Sequence, residues 1–351
     1  MESMLERAQK LGTPLIDGGS ATFLWHGAGD LPHLIGDFTG WGREPMRLAE
    51  IEPGVWGCTL SFPRDAYVEY QFVLRYDISE RVADPLNPRL VYNGVDSVNH
   101  WFAMPEYPPP ELIRRKPGVA RGAISEHWLE TDVFTGDTHR KLYLYHPPVE
   151  EPTPLVIVWD GGDYLNRGHL NAIVDNLIAE QRIRPLALAL IENGQSARFV
   201  EYMQNEATLG LLSEIVLPFA AEHLTLIDPA DEPGVHGVLG SSMGGLMALY
   251  AGLRAPDVIG HVICQSGAFW FGGRDMLIVD YVKTHPLPPL QIWQDVGTLE
   301  ALLDGNRQMN ALLRGKGGDV TYREFSGGHN QTMWSDNTWR GLEAVYGRGR
   351  R

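Results

Sequence analysis

Between Ser20 and Phe102, apolar and polar positions alternate in short runs broken by turn residues: ATFLWHG, PHLIGDFTGW, GVWGCTLSF, YVEYQFVL and VNHWFAM. Alternation with a period of two puts successive side chains on opposite faces, so these runs predict strands of an antiparallel sandwich. PEYPPPELIRRKPG follows. Its prolines cannot donate ladder hydrogen bonds and fix an extended chain, which marks a linker.

Beyond the linker the texture changes. HRKLYLYHPP reads as an edge strand, and PLVIVWDGG as a nearly continuous apolar strand ending in a turn. Leu170, Ile173, Val174, Leu177 and Ile178 then recur at helical spacing. PLALALIEN is a second apolar strand, and FVEYMQNEATLGLLSEIVLPFAAEHL reads as a long helix interrupted near Gly210. GVHGVLG, HVICQSG, PLQIWQDVG and VTYREFSGG add strands separated by helical stretches. Apolar strands alternating with helices predict a parallel sheet covered on both faces. The tail GRGRR is the one low-complexity piece.

Composition narrows the class. With 351 residues, 44% hydrophobic and 21% charged, the chain has the make-up of a globular protein of one large or two medium domains. A net charge of -15 opposes phosphate backbones, so nucleic acid is not expected as a partner. Two distant cysteines, Cys58 and Cys264, support no disulfide framework. The charged start MESMLERAQKLG and the lack of a long apolar run predict no secretory signal, no membrane span and a cytoplasmic location. No closely spaced set of metal ligands stands out, and no cofactor is expected.

Candidate chemistry centres on GVLGSSMGGLMALYAGLRAP, Gly237 to Pro256. Gly240-Ser241-Ser242-Met243-Gly244 fits G-x-S-x-G; the frame centred on Ser241 fails, because Leu239 and Met243 would flank it. A nucleophile on a sharp strand-to-helix turn needs strained backbone and neighbours without bulk. GVHGVLG as strand and GLMALYAGLRAP as helix supply that context, which makes Ser242 the candidate nucleophile.

A serine hydroxyl needs a base, and the chain order in this architecture is Ser, acid, His. Three histidines follow Ser242: His261 opens a predicted core strand, His285 lies in THPLPPL, and His329 sits in FSGGHN just after the last strand. Elimination and position select His329. For the acid, QIWQDVGTLE offers Asp295, in or at the end of the strand, and Glu300, in the loop after it, with Asp304 more distant. Loop position favours Glu300, which would orient the imidazole; a solvated surface glutamate is the alternative. An oxyanion needs two N–H donors, expected from Met243 and, through WDGGDYL, from Gly162, unless that glycine serves turn geometry alone.

With these residues assembled, the chain resembles the enterochelin (ferric-siderophore) esterases and the wider esterase-D-like branch of α/β-hydrolases, which includes feruloyl esterases and mycolyltransferases. VIVWDGGDYL, the Arg198–Tyr202 segment, GSSMGG, QSGAFW, DVGTLEALLDGNRQM and EFSGGHNQTMW carry the likeness together. It implies Ser242 as nucleophile, Glu300 as acid, His329 as base and oxyanion donors at Gly162 and Met243. It also implies substrate contacts by Arg198, Asp163, Tyr164, Trp270 and Trp334. A local ion pair with Glu201 is the other reading of Arg198.

LIGDFTGW, GVWGCTLSF, YQFVL and DPLNP resemble the immunoglobulin-like early-set domain that precedes the hydrolase in enterochelin esterases. The expected organisation is therefore an extension over 1–18, an early-set immunoglobulin-like β-sandwich over 19–105, a linker over 106–120, an α/β-hydrolase domain over 121–346 and a basic tail over 347–351. Related domains bind glucans through exposed tryptophans, a role open to Trp25, Trp41 and Trp56, although sandwich tryptophans are usually core.

The expected function is serine carboxylic-ester hydrolysis through an acyl-enzyme, on a small-molecule siderophore or aryl ester. A feruloyl or acetyl-sugar esterase is the alternative, and a glucan-binding or scaffolding protein with an inactive hydrolase domain is the reading from another class. An anionic ferric catecholate meets a chain at -15 whose arginines near the site are only Arg167, Arg198 and Arg274, which weakens the siderophore reading. The sequence does not decide the oligomeric state; a homodimer is one option.

Overall fold

The computed structural model describes the chain apart from residues 1, 28–29, 76, 78, 96, 131–138 and 349–351, so the end of the basic tail lies outside the described residues. Two compact units divide it. One comprises Met1–Pro109, Gly297–Ala301 and Glu324–Met333, the other Pro110–Val296, Leu302–Arg323 and Trp334–Arg351.

The first unit is all-β apart from a short N-terminal helix and a 3-10 turn. One antiparallel sheet runs Leu15–Asp17, Ser20–Trp25, Val55–Ser61, Ala49–Glu52. The second runs Met46–Arg47, His33–Gly36, Tyr67–Val73, Val98–Ala103, Leu90–Tyr92, with Arg81–Val82 also paired to Tyr67–Val73. The alternating runs collapse because inward positions of both sheets share one core: Phe23 is surrounded by Phe38, Phe62, Tyr70 and Phe102 in tilted or edge-on contacts. Trp25 is part of that core, Trp56 packs against it half-buried, and Trp41 donates its indole N–H to Asp37.

The second unit holds an eight-stranded sheet in the order Ala123–Glu130, His139–His146, Ala187–Ile191, Leu155–Val158, His236–Ser241, Ile259–Gln265, Gln291–Gly297, Asp319–Phe325. The first two strands pair antiparallel, and the run from Ala187–Ile191 to Gln291–Gly297 is parallel. Alternate residues of the central strands enter opposite cores. Val156, Val158, Leu188, Leu190 and Leu239 pack on one face, while Leu155, Ile157, Ala189, Val238 and Val262 pack on the other. Helices Leu170–Ala179 and Gln331–Tyr346 contribute to the first core, and Met243–Arg254, Leu277–Thr284 and Leu303–Gly315 to the second. Apolar strands without polar alternation therefore mean burial on both sides.

Two expectations change. HRKLYLYHPP is not the edge: AISEHWLE, Ala123–Glu130, pairs outside it, with Leu129 as its single buried residue and Trp128 exposed. An edge strand wetted along most of its length carries too weak an apolar pattern to be read from sequence. The long helix also breaks earlier than Gly210, between Arg198–Tyr202 and Glu206–Leu211, where Gln204 has φ of 54° and Asn205 caps the next helix by accepting from Ala207 N–H at 2.8 Å. At Gly210 the chain continues, passing into a π-helical turn over Leu212–Val216.

One polar device lies buried beside this sheet. Arg140, on His139–His146, donates to both carboxylate oxygens of Glu201 at 2.8 and 2.7 Å, and each side chain is 5% exposed. Removing one partner strands a charge away from water. Arg140→Met is expected to lower stability by about 3–5 kcal/mol in chemical denaturation, and Arg140→Met with Glu201→Leu to restore most of that loss.

Candidate active site

Ser242 lies between the strand His236–Ser241 and the helix Met243–Arg254, with φ of 58° and ψ of -122°. Side chains other than glycine avoid this conformation, and its cost is borne by surrounding structure. Ser242 N–H donates to Gln265 O at 2.9 Å, and Ser242 O accepts from Ala268 N–H at 3.0 Å, tying the turn to the end of the next strand. The glycines make the turn fit: a Cβ on Gly240 would collide with the backbone of Gly244, and one on Gly245 would lie 3.0 Å from Gln265 O. Ser242 is half-buried and Ser241 buried. Met243 opens the helix, where the first N–H groups have no partner within it.

A second left-handed residue, Asp160 with φ of 56°, ends the strand Leu155–Val158 and starts the helix Gly161–Asn166. A Cβ on Gly161 would overlap the backbone at Leu190 and Ile191, and one on Gly162 would overlap the Glu192 carboxylate. Packing thus demands both glycines. Burial raises the Glu192 carboxyl above its ordinary range, and Asp163 and Asp160 reinforce the shift.

Arg198 is committed. Its Nε and Nη2 donate to the two oxygens of Asp160, both at 2.7 Å, and its guanidinium lies 5.1 Å from the centre of the Tyr202 ring. Asn193 Nδ2 donates to the same Asp160 at 2.7 Å. The expected alternative pairing of Arg198 with Glu201 is corrected: Glu201 holds Arg140, one helical residue away from the Asp160 knot. Asp163 pairs with Arg167 at 3.0 Å.

Two residues expected to touch substrate are interior instead. Tyr164 is 1% exposed and donates its hydroxyl to Gln265 Oε1 at 2.9 Å. Trp334 is buried, its indole N–H donating to Ser266 Oγ at 2.9 Å. Both point inward because each carries a polar handle that finds a buried acceptor. Trp270 is half-buried on the hairpin Trp270–Phe271/Arg274–Asp275, where Arg274 is exposed.

Of the candidate acids, Glu300 is the one joined to His329: its Oε2 takes the hydrogen bond from His329 Nδ1, while Oε1 accepts from Gly297 N–H at 2.6 Å. Asp295 is buried within Gln291–Gly297 and accepts from Trp293 Nε1 at 3.0 Å and Gln265 Nε2 at 3.3 Å. Asp304 ion-pairs with Arg307. With its proton on Nδ1, an imidazole presents Nε2 as its basic nitrogen. Sequence reading missed Asp37, which belongs to the same compact unit as Glu300 and His329 and lies against Gly328. Its signal was present in LIGDFTGW, where an aspartate directly follows an apolar strand, yet 293 positions of chain separate it from its partner Asn330.

Among the described residues no group of His, Cys, Asp and Glu has the arrangement to hold a metal ion, and no helix is long and apolar enough to cross a membrane.

Residues 135–342 match the model of the esterase family described as "Putative esterase". The chain is 27% identical to the iron(III) enterobactin esterase of Dickeya dadantii, over 95% of this chain and 90% of that protein. Its fold is that of the enterobactin esterase from Shigella flexneri solved in the presence of enterobactin, with a TM-score of 0.75, 20% identity and 92% of each chain covered. A ferulic acid esterase from Anaeromyces mucronatus, in complex with ferulic acid, superposes with a TM-score of 0.56 at 19% identity over 68% of this chain and 96% of its own. The fold is thus an α/β-hydrolase sheet with flanking helices and an N-terminal all-β region. The chain belongs to this esterase family and is an enzyme of the enterochelin-esterase-like group.

Proposed function

We propose that this esterase is a serine carboxylic-ester hydrolase working through an acyl-enzyme, with Ser242 as nucleophile, His329 as base and Glu300 as its orienting acid. The observation that carries the reading is the Glu300–His329 hydrogen bond, in a chain whose G-x-S-x-G serine has the strained backbone of a nucleophile turn. His329 Nε2 takes the Ser242 hydroxyl proton as Oγ bonds to the acyl carbon. The N–H groups of Met243 and Gly162 receive the oxyanion, and the alcohol leaves with the proton from His329. Water, deprotonated by the same nitrogen, then releases the acid. Glu300 accepts from Nδ1 and holds the imidazole tautomer.

For the substrate, iron(III) enterobactin esterases are among the curated relatives, matched over 95% and 80% of this chain, which supports a siderophore-type ester. We read the first unit as their immunoglobulin-like early-set domain. One observation favours a second reading, an aryl ester of the feruloyl kind: the Arg198 charge is already neutralised by both oxygens of Asp160, and Glu192 and Asp163 lie on the same side of the sheet edge. A strongly anionic catecholate gains little from an arginine so engaged. The panel that separates them is ferric enterobactin-type trilactone, methyl ferulate and acetylated xylan; turnover of the aryl ester without the trilactone selects the second reading.

Ser242→Ala is expected to lower kcat on p-nitrophenyl acetate by about a million-fold. Wild-type turnover in that variant refutes the mechanism. Glu300→Gln is expected to lower kcat by roughly four orders of magnitude, by analogy with loss of a triad carboxylate, while Asp295→Asn leaves the chemical step far less affected; the reverse order in steady-state assays would move the acid to Asp295.

A further inference from the structure

The loops that carry the acid and the base both belong to the compact all-β unit. Leu299, next to Glu300, packs against the core built on Phe23, Tyr70 and Phe102. Tyr67 N–H, on the strand Tyr67–Val73, donates to Ser326 O at 3.1 Å, three residues before His329. The two loops are also joined to each other, through Thr298 N–H to Phe325 O at 2.8 Å and Leu299 N–H to Gly327 O at 3.0 Å.

Asp37 lies at the junction. It starts the 3-10 turn Asp37–Thr39 and is 2% exposed. Oδ2 accepts from Glu69 N–H at 2.9 Å and from Asn330 Nδ2 at 3.4 Å, and Oδ1 accepts from Trp41 Nε1 at 3.0 Å. Gly328 is pressed so closely on this carboxyl that a Cβ there would overlap it. The contacts therefore bracket His329 on both sides, at Gly328 and at Asn330. Asn330 Oδ1 in turn accepts from Met333 N–H at 3.0 Å, at the start of Gln331–Tyr346. A buried carboxyl with three donors is too expensive to keep for packing alone, since an apolar residue would fill the space without a desolvation cost.

We propose that Asp37 is a positioning residue of the esterase, holding the His329 loop in register and supplying an anion that stabilises the imidazolium formed during catalysis. This rests on the assignment of His329 as the base. The charged groups around Asp37 fit the role. Glu300 and His329 face it from the two loops with opposite effects, and Glu69, on the neighbouring strand, turns its carboxylate to Asn99 Nδ2 at 2.8 Å. Burial pushes the Asp37 carboxyl up to about 7, against the opposing pull of the Glu69 and Trp41 hydrogen bonds. The His329 charge draws it down in turn, so carboxylate and imidazolium favour one another.

The test is steady-state hydrolysis of p-nitrophenyl acetate across pH by full-length wild type, Asp37→Asn, Trp41→Phe and His329→Ala, each checked for folding by circular dichroism. Asp37→Asn keeps the size and removes the anion. Its kcat is expected to fall by about ten- to a hundred-fold with KM little changed, as for a misplaced catalytic group. The acid limb of its kcat/KM profile is expected to move to lower pH, because the imidazolium loses a neighbouring negative charge. Trp41→Phe removes one donor to the carboxylate and should move the acid limb the same way by less. A folded Asp37→Asn with wild-type kcat and an unmoved acid limb overturns the proposal; if that variant does not fold, an unmoved limb in Trp41→Phe overturns it instead. His329→Ala keeps the two ideas apart: if it retains turnover, the base assignment fails, whereas an inactive His329→Ala beside a wild-type-like Asp37→Asn refutes the role of Asp37 alone.

Discussion

A serine at φ of 58° and ψ of -122° is the constraint on which the rest of this molecule depends. The conformation costs on the order of 1–3 kcal/mol and survives only where the surroundings over-determine it. Here they do so by close approach. Gly240 meets the backbone of Gly244, Gly245 meets Gln265 O, and the hydrogen bonds of Ser242 fasten the turn to Gln265 and Ala268. The fixed points are parts of the parallel sheet, whose strands are buried on both faces. Sheet rigidity is therefore converted into the exposure of one hydroxyl at a helix N-terminus. The same device recurs at Asp160, where a left-handed residue and two glycines let the chain turn against Leu190 and Ile191.

The proposed acid and base are held differently. Neither Glu300 nor His329 belongs to a strand or helix; both lie in loops after the last two strands, and loops are mobile unless tied down. Their anchors are in the all-β unit: Leu299 in its aromatic core, Tyr67 on its central strand, Asp37 on its 3-10 turn. On the proposed assignment, the all-β unit itself holds the loops of the acid and the base, independent of any contact its strands make with substrate. Removing them would leave the His329 loop without the contacts at Gly328 and Asn330 that bracket it.

Local physics was legible in the sequence. Period-two alternation marked the N-terminal strands, apolar runs marked the parallel strands, and glycine spacing marked the elbow, because each is decided within a few residues. Glu300 was preferred to Asp295 on loop position, and its hydrogen bond to His329 agrees with that preference. What escaped was set by distant partners. The strand Ala123–Glu130 hides behind an exposed edge pattern, Asp37 gains its meaning from Gly328 and Asn330, and Arg198 from Asp160. Tyr164 and Trp334 are placed in the interior by partners the sequence does not show: an aromatic with a polar tip suits core or pocket, and each here donates to a buried acceptor.

Electrostatics around the elbow argue about substrate more sharply than the fold does. A bidentate Arg198–Asp160 pair presents nearly zero net charge, and Asp163 is matched by Arg167. Glu192 receives the Tyr143 hydroxyl at 3.3 Å, and burial raises its carboxyl against the opposing pull of Lys141. Burial disfavours the charged form of Glu192 beside Gly162, a setting suited to a neutral ester. Against a multiply anionic substrate, the attraction must come from outside this knot, because every arginine in it is already matched by a carboxylate.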